Sequence, residues 1–363
     1  MSYNESSQIK NWMFSNERLK QLREQCNNQH KQVILEKTPS SELNILCPDE
    51  ELSLIHYYET KTLEIAMALN LPDKVSATAI IYIKRFYLEN SIMQYGPKLV
   101  MLSCLFIACK TEDNHLDIDY YSNITKASPS DITNLEVIIL ESLNFNLIVY
   151  HPFRPMYGYI LDINDNFSLY NNTNGITPVK FDTLWETCKK SIQKSLFSDC
   201  CFEFHPQIIA LACLNLNWDG FNMYIENKFK DKDQEFLNSM IGKINQVKEV
   251  LSNVPDKPDL EVVKKIDRKL IFLNNPEKEK RKSKKDPNKN PKKKTKPSTS
   301  TPPTSTDNIL NNDVTTTTTT TAATTLISEQ TTTTLISTEM SSNTTTTSTT
   351  ITDTEMVNLD STN

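Results

Sequence analysis

The segment L-V-M-L-S-C-L-F-I-A-C, residues 99–109, decides the fold class of this chain. It is apolar on every side except at Ser103, and a helix of this kind is stable only when other helices surround it. Pro97 lies just before the segment, and a proline is well tolerated in the first turn of a helix. The segment therefore predicts the buried central helix of an all-α bundle.

A similar segment recurs 109 residues further along the chain. P-K-L-V-M-L-S-C-L (97–105) and P-Q-I-I-A-L-A-C-L (206–214) are identical at four of nine positions. Each copy lies between two amphipathic stretches, and those that follow the copies are at 135–143 and around 237–251. The repeat predicts two consecutive bundles of about five helices each, at 48–150 and 151–255, joined near His151–Pro155.

One further helix is predicted on each side of the two bundles. In the lead-in region 1–47, a helix is expected at about Ser15–Asn27, and Trp12 and Phe14 just before it should dock on the folded body. In region 256–276, a helix is expected at about 260–273 with an apolar stripe of Val263, Ile266, Leu270 and Leu273. The helix that begins near Leu71 is expected to bury one face, formed by Val75, Ala79, Tyr82, Ile83, Phe86 and Tyr87.

The net charge is −7 over residues 1–276, +8 over 277–297 and −7 over 298–363. The last block is Thr-rich and has no aromatic residue, so it cannot bury enough apolar surface to offset the entropy of ordering and is predicted to be a disordered tail. The basic block has no aromatic side chain on which a base could stack, which favours a nuclear import signal or an electrostatic tether. The candidate import residues are Lys280, Arg281, Lys282, Lys284, Lys285, Lys292, Lys293 and Lys294.

Residue types that common enzyme sites require are not grouped in this sequence. The five glycines lie at least 17 positions apart, which excludes a glycine-rich phosphate loop, and no H-E-x-x-H or G-x-S-x-G motif occurs. The densest Cys/His group, Cys200, Cys201 and His205, lacks further zinc ligands, and the acidic cluster at 112–119 lacks the glycine of an EF-hand loop. We expect no catalytic residue, no metal and no cofactor.

The compartment is indicated by the cysteines and by the apolar runs. None of the eight cysteines has C-x-x-C spacing, which is typical of proteins from a reducing cytosol or nucleus. The apolar run at 99–109 is about half the ~20 residues that cross a bilayer. We expect an intracellular protein that does not bind membranes and resides in the nucleus.

Specific strings resemble the cyclin family. I-K-R-F-Y-L-E-N-S (83–91) and A-C-K-T-E (108–112) are similar to the first cyclin box. L-N-F-N-L-I-V (143–149), P-F-R-P (152–155), S-S-Q (6–8) and W-x-F-S (12–15) are similar to the cyclin H branch of the family. The resemblance covers about residues 6–272 and implies two consecutive five-helix cyclin boxes.

The resemblance implies a regulatory subunit rather than an enzyme. Its expected partners are a kinase of the cyclin-dependent kinase 7 type, a RING-containing assembly factor and the TFIIH core. The complex would phosphorylate kinase activation loops and the RNA polymerase II C-terminal repeat domain. By position in the family motifs, Lys110 and Glu136 are the expected kinase-binding residues. Residues 54–61 lack the M-R-A-I-L-type patch that recruits substrates in cell-cycle cyclins, so the expected role is allosteric.

Two alternative functions keep the same fold. The first is another transcription cyclin, of the C, K or T type, against which the strings at 12–15 and 143–149 argue. The second is a nucleic-acid-binding factor that resembles the cyclin-box core of TFIIB. A core that binds phosphates needs a basic surface, whereas residues 1–276 carry a net negative charge. We therefore expect no direct sequence-specific nucleic-acid binding.

Overall fold

The computed structural model describes residues 3–37, 45–166, 181–255 and 258–274. Within these ranges every regular element is a helix, and the first two α-helices are α1 (Ser7–Trp12) and α2 (Asn16–Lys37). The basic block and the Thr-rich tail lie outside the described residues. No helix in the described ranges combines the length and apolar content that a bilayer crossing requires.

The two predicted bundles are present in the expected order. The helices of the first bundle are α3 (Pro48–Ala68), α4 (Asp73–Glu89), α5 (Pro97–Thr111), α6 (Ile118–Thr125) and α7 (Pro129–Ser142). Those of the second are α8 (Phe153–Asp165), α9 (Phe181–Ser195), the one-turn α10 (Cys200–Glu203), α11 (Pro206–Asn217), α12 (Phe221–Lys228) and α13 (Gln234–Asn253). A last helix, α14 (Leu260–Asn274), follows. The predicted all-α fold of two bundles with flanking helices is confirmed.

Helix α5 is the centre of the first bundle, as its sequence predicts. Every residue from Val100 to Cys109 is buried, because α5 packs against α3, α4 and α7. Ser103 is accommodated in this apolar setting because its hydroxyl donates to the carbonyl of Ile132 on α7 at 3.2 Å. Helix α11 holds the corresponding position in the second bundle, where it packs against α8, α9 and α13.

The predicted single buried face of α4 is wrong, because all residues from Val75 to Leu88 are buried. Helices α2, α3, α5 and α7 all pack against α4, so its polar side is covered as well. Lys84 and Arg85, which a surface helix would expose, are therefore buried inside the protein. The sequence pattern of one helix cannot reveal how many neighbours cover it.

The flanking helices extend the core of the first bundle. Leu19 of α2 and Ile266 of α14 are buried in that core, and the predicted stripe on α14 is confirmed at Val263, Ile266 and Leu270. The predicted end of the leading helix near Asn27 is wrong, since α2 continues to Lys37. The polar run after Asn27 lacks apolar spacing, but Ile34 still packs against the core.

Candidate functional site

Lys110 and Glu136, the two residues carried over from the cyclin motifs, lie together at the surface. Lys110 is the first residue of α5 to reach solvent after the buried run, and Glu136 lies midway along α7. The Lys110 Nζ atom is 2.5 Å from Glu136 Oε1, with side chains 41% and 17% exposed. Lys110 Nζ also lies 4.6 Å from the centre of the Phe106 ring, within range of a cation–π interaction. In this structure the two charges pair with each other.

Exposed apolar side chains for which the sequence predicts no binding role lie on α7 and on the turn after it. Val137, Phe145 and Ile148 are each more than half exposed. Phe145 and Ile148 belong to the string at 143–149, which connects the two bundles. We call Lys110, Glu136, Val137, Phe145 and Ile148 the α5–α7 surface.

The turn at 144–149 is held by hydrogen bonds from the buried helix α4. Asn144 and Phe145 adopt the left-handed conformation, with φ of 49° and 55°, which is uncommon for a bulky residue such as phenylalanine. The Tyr82 hydroxyl donates to the carbonyl of Leu147 at 2.6 Å, and Arg85 Nη1 donates to the carbonyl of Asn146 at 2.9 Å. Strain of this kind persists only where surrounding structure imposes it, so α4 fixes the turn.

Side chains of α4 also contact the carboxyl-terminal end of α5 and the residue after it. The Tyr82 hydroxyl lies 3.2 Å from Thr111 Oγ1, next to Lys110 in sequence. Glu112, the residue after that, accepts a 2.7 Å hydrogen bond from Thr78 of α4 and forms an ion pair with Lys74. The α5–α7 surface therefore rests on contacts that leave little freedom to its backbone.

A buried histidine connects this network to the second bundle. His151 Nε2 is 2.7 Å from Thr78 Oγ1, and since Thr78 donates its only proton to Glu112, the ring must donate to Thr78. Burial, with smaller contributions from the charges of Lys74 and Arg85, lowers the pKa of His151 to about 3. His151 is therefore neutral near pH 7.

Trp12 and Phe14 lie against both bundles. Trp12 is buried, and its ring centre is 4.8 Å from the guanidinium carbon of Arg85. The Phe14 amide donates to the carbonyl of Phe202 at 2.8 Å, and the two rings are 6.0 Å apart. Burial lowers the pKa of Arg85 to about 10, so the guanidinium remains charged at neutral pH.

The densest Cys/His group of the sequence, Cys200, Cys201 and His205, lies in the described part of the chain. Burial raises the pKa of Cys200 to about 11 and that of Cys201 to about 12, so both thiols are protonated at neutral pH. The His205 ring packs edge-on against that of Tyr3. In the part of the chain that the structure describes, no three His, Cys, Asp or Glu side chains converge on a possible metal position. The candidate import residues, from Lys280 to Lys294, lie outside the described residues.

Two family models match this chain, one over each helical bundle. Residues 58–148 match the family model "Cyclin, N-terminal domain", and residues 151–252 match "Cyclin C-terminal domain". The chain belongs to the cyclin family.

Within that family, the relatives point to the cyclin-H group. The Dictyostelium discoideum protein named "Putative cyclin-H" is 92% identical over 227 residues, which is 62% of this chain and 79% of that protein. A chain of the CAK complex from Chaetomium thermophilum bound to ATP-γ-S is 25% identical, with a TM-score of 0.66 over 80% of this chain and 98% of that one. A chain of the yeast TFIIK (Kin28/Ccl1/Tfb3) complex is 30% identical, with a TM-score of 0.58 over 69% of this chain and 100% of that one. The chain is a cyclin H-like member of the family.

Proposed function

We propose that this chain is the regulatory subunit of a CDK-activating kinase. It binds a catalytic subunit of the cyclin-dependent kinase 7 type, activates it, and performs no bond chemistry itself. Support comes from the similar structures, which belong to the CAK complex and to the Kin28/Ccl1/Tfb3 complex. A RING-containing assembly factor and the TFIIH core are its further partners, and it acts in the nucleus. The complex phosphorylates kinase activation loops and the RNA polymerase II C-terminal repeat domain.

The observation that carries the proposal is the exposed α5–α7 surface on a fully buried scaffold. Lys110 and Glu136 offer an ammonium group and a carboxylate 2.5 Å apart, and each keeps hydrogen-bonding capacity beyond this pair. Exposed apolar residues of α7 and the following turn accompany them. A charged pair among apolar side chains is suited to bind a helix that has both polar and apolar residues.

Activation follows from the rigidity of this surface. A bound protein shifts a conformational equilibrium only by the difference between its affinities for the two states. Because hydrogen bonds from Tyr82, Arg85 and Thr78 fix the surface, it does not adapt equally well to active and inactive kinase arrangements. The chain would therefore stabilise the kinase conformation that complements it.

The test is to measure the affinity of the full chain for a kinase of the cyclin-dependent kinase 7 type, together with kinase activity. Lys110→Ala and Glu136→Ala should each weaken binding by about 2–5 kcal/mol, part of which comes from partner groups left unpaired. Charge reversal at either position should weaken binding further. The melting temperature should change little, since an exposed ion pair contributes only about 0–1 kcal/mol to stability.

Matched controls are available on the same two helices. Lys98 near the start of α5 and Glu141 near the end of α7 are exposed, and alanine at either position should leave affinity and activity unchanged. If both site variants bind and activate the kinase like the parent, the proposed interface is refuted. If they unfold, the pair is a framework element and the interface lies elsewhere.

A further inference from the structure

An apolar groove of about 680 Å³ lies at the junction of the two bundles. Its walls are the start of α4, the linker at 148–151, the first turn of α8, part of α9 and the start of α11. Apart from Ile148, its lining residues lie outside the α5–α7 surface. The proposed kinase binding therefore leaves most of this groove without an assigned role.

The groove presents apolar and aromatic side chains to solvent. Ile148 is 63% exposed, and Phe153 and Trp185 are half-buried. The Trp185 ring is held in place, because it packs edge-on against the Tyr157 ring at 5.6 Å between centres. Binding sites are commonly preformed grooves of about 300–1,000 Å³ at domain junctions, lined mostly by apolar and aromatic side chains. The groove can therefore accept an apolar side chain of a partner.

The charged residues that line the groove are one carboxylate and three cations, Asp73, Lys74, Arg154 and Lys189. The carboxylate is already occupied, since Asp73 accepts a 2.8 Å hydrogen bond from Gln193 and lies 3.3 Å from Lys189 Nζ. Lys74 and Lys189 also pair with Glu112 and Glu186, which do not line the groove. The lining therefore offers no free carboxylate to a partner.

Arg154 is the cation that remains available. Its side chain is exposed on the first turn of α8, and no carboxylate among the described residues pairs with it. The Lys74 side chain is 62% exposed, so its ammonium group also faces solvent beside its ion pair. A guanidinium presents its N–H donors in a planar fork that matches a carboxylate. Arg154 is therefore suited to bind an acidic side chain.

Three helices begin at this groove. Its lining includes the first residues of α4, of α8 and of α11. The amino-terminal end of a helix carries a partial positive charge, which adds to the charges of Arg154 and Lys74. The groove is thus electropositive, although residues 1–276 as a whole carry a net charge of −7. An acidic partner is favoured here over the rest of that body.

We propose that this groove binds a peptide segment of a partner protein in which an acidic residue neighbours an aromatic or large aliphatic one. The apolar side chain lies against Ile148 and Trp185, and the carboxylate pairs with Arg154. A partner bound in this way lies beside the α5–α7 surface, because Ile148 belongs to both surfaces.

Selection of a displayed library of random peptides on the full chain tests this proposal. We expect the enriched sequences to combine Asp or Glu with Trp, Phe, Leu or Ile. Absence of enrichment, or enrichment of basic or wholly polar sequences, would overturn the proposal. No kinase is present in this selection, so its outcome does not depend on the proposed kinase binding.

Fluorescence polarisation with the most enriched peptide, labelled with fluorescein, then compares variants of the full chain. Arg154→Glu should weaken peptide binding at least about tenfold, equivalent to about 1.4 kcal/mol, because it brings like charges together. Lys190→Glu is the control, since it makes the same charge change at an exposed position of α9 outside the groove and should leave affinity unchanged. Parent-like affinity in Arg154→Glu, or an equal loss in both variants, would refute the site.

Ile148→Ser tests the apolar part of the groove. It should also weaken peptide binding about tenfold, because a large aliphatic side chain contributes about 1.5–3 kcal/mol when it is fully buried. Leu161→Ser makes the same kind of change on the exposed side of α8, outside the groove, and should have no effect. A loss confined to Leu161→Ser would place the peptide elsewhere and contradict the proposal.

Sedimentation velocity distinguishes a peptide-binding groove from an interface between two copies of this chain. The parent chain should sediment as a monomer over the concentrations used for peptide binding. A dimer that Arg154→Glu dissociates would overturn the proposal, because a second copy would then be the occupant of the groove.

Discussion

Replacing Trp12 by alanine tests how firmly the amino-terminal segment holds to the bundles. Trp12 is 4% exposed and lies over Arg85, so the substitution removes nearly a whole indole ring from the interior. An aromatic side chain buries about 150–250 Å², which at about 25 cal/mol per Å² corresponds to about 4–6 kcal/mol. Area arithmetic of this kind is an upper bound, and truncating buried aromatics costs about 3–5 kcal/mol. We expect a loss in that range.

Two further substitutions separate the causes of this loss. The indole Nε1 atom is buried without a hydrogen-bond partner among the described residues, so removing its N–H sacrifices no hydrogen bond. Trp12→Phe keeps a ring over Arg85 and should therefore cost clearly less than Trp12→Ala. Asn11→Ala, at an exposed position on the same helix, should change the free energy of unfolding by less than about 0.5 kcal/mol.

Urea unfolding followed by circular dichroism measures these differences, with unchanged m-values showing that the same transition is compared. If Trp12→Ala unfolds at the same urea concentration as Asn11→Ala, the segment contributes nothing to stability and the reasoning from burial is refuted. The double variant Trp12→Ala/Phe14→Ala should lose more than Trp12→Ala alone, because Phe14 also packs against Phe202.

Three other predictions concern pH, the turn and the carboxyl-terminal region. Because the pKa of His151 is about 3 in the folded protein and 6.5 as its reference value, the unfolded state binds the proton first, so stability falls below pH 6.5. This loss is about 1.4 kcal/mol at pH 5.5, and unfolding titrations should show a smaller pH dependence in His151→Gln. Phe145→Gly should change the free energy of unfolding by less than about 1 kcal/mol, because glycine suits the positive φ and the lost side chain is exposed. The same substitution should weaken kinase binding, and unchanged affinity would show that Phe145 is not part of the interface. A chain that ends at Asn275 should activate the kinase normally in vitro, and a reporter fused to 276–297 should enter the nucleus; an inactive truncation or a cytoplasmic reporter would contradict these roles.

Much of the architecture follows from the sequence because burial is encoded by the apolar pattern of each helix. The run from Leu99 to Cys109 is apolar all round, so a central position was its only stable arrangement. Its partial repetition at 206–214 predicted the second bundle, and the stripe from Val263 to Leu270 predicted which side of α14 is covered. These features depend on which residues neighbour each other along one helix.

Other features depend on which helices meet, and local periodicity carries no information about that. The sequence placed Lys110 and Glu136 on separate helices, and only the packing of α5 against α7 brings their charges to 2.5 Å. The burial of Lys84 required an acid from another helix, Glu59, without which the desolvation of a charge would be prohibitive. The two hydrogen bonds from Arg23 of α2 to Asp199 likewise exist only because segments far apart in sequence converge there. Residue pattern determined the positions of most helices and the buried stripe of α14, whereas long-range packing decided that α4 is covered on all sides and which polar groups become partners, because the partner of a buried charge is fixed by distance in space.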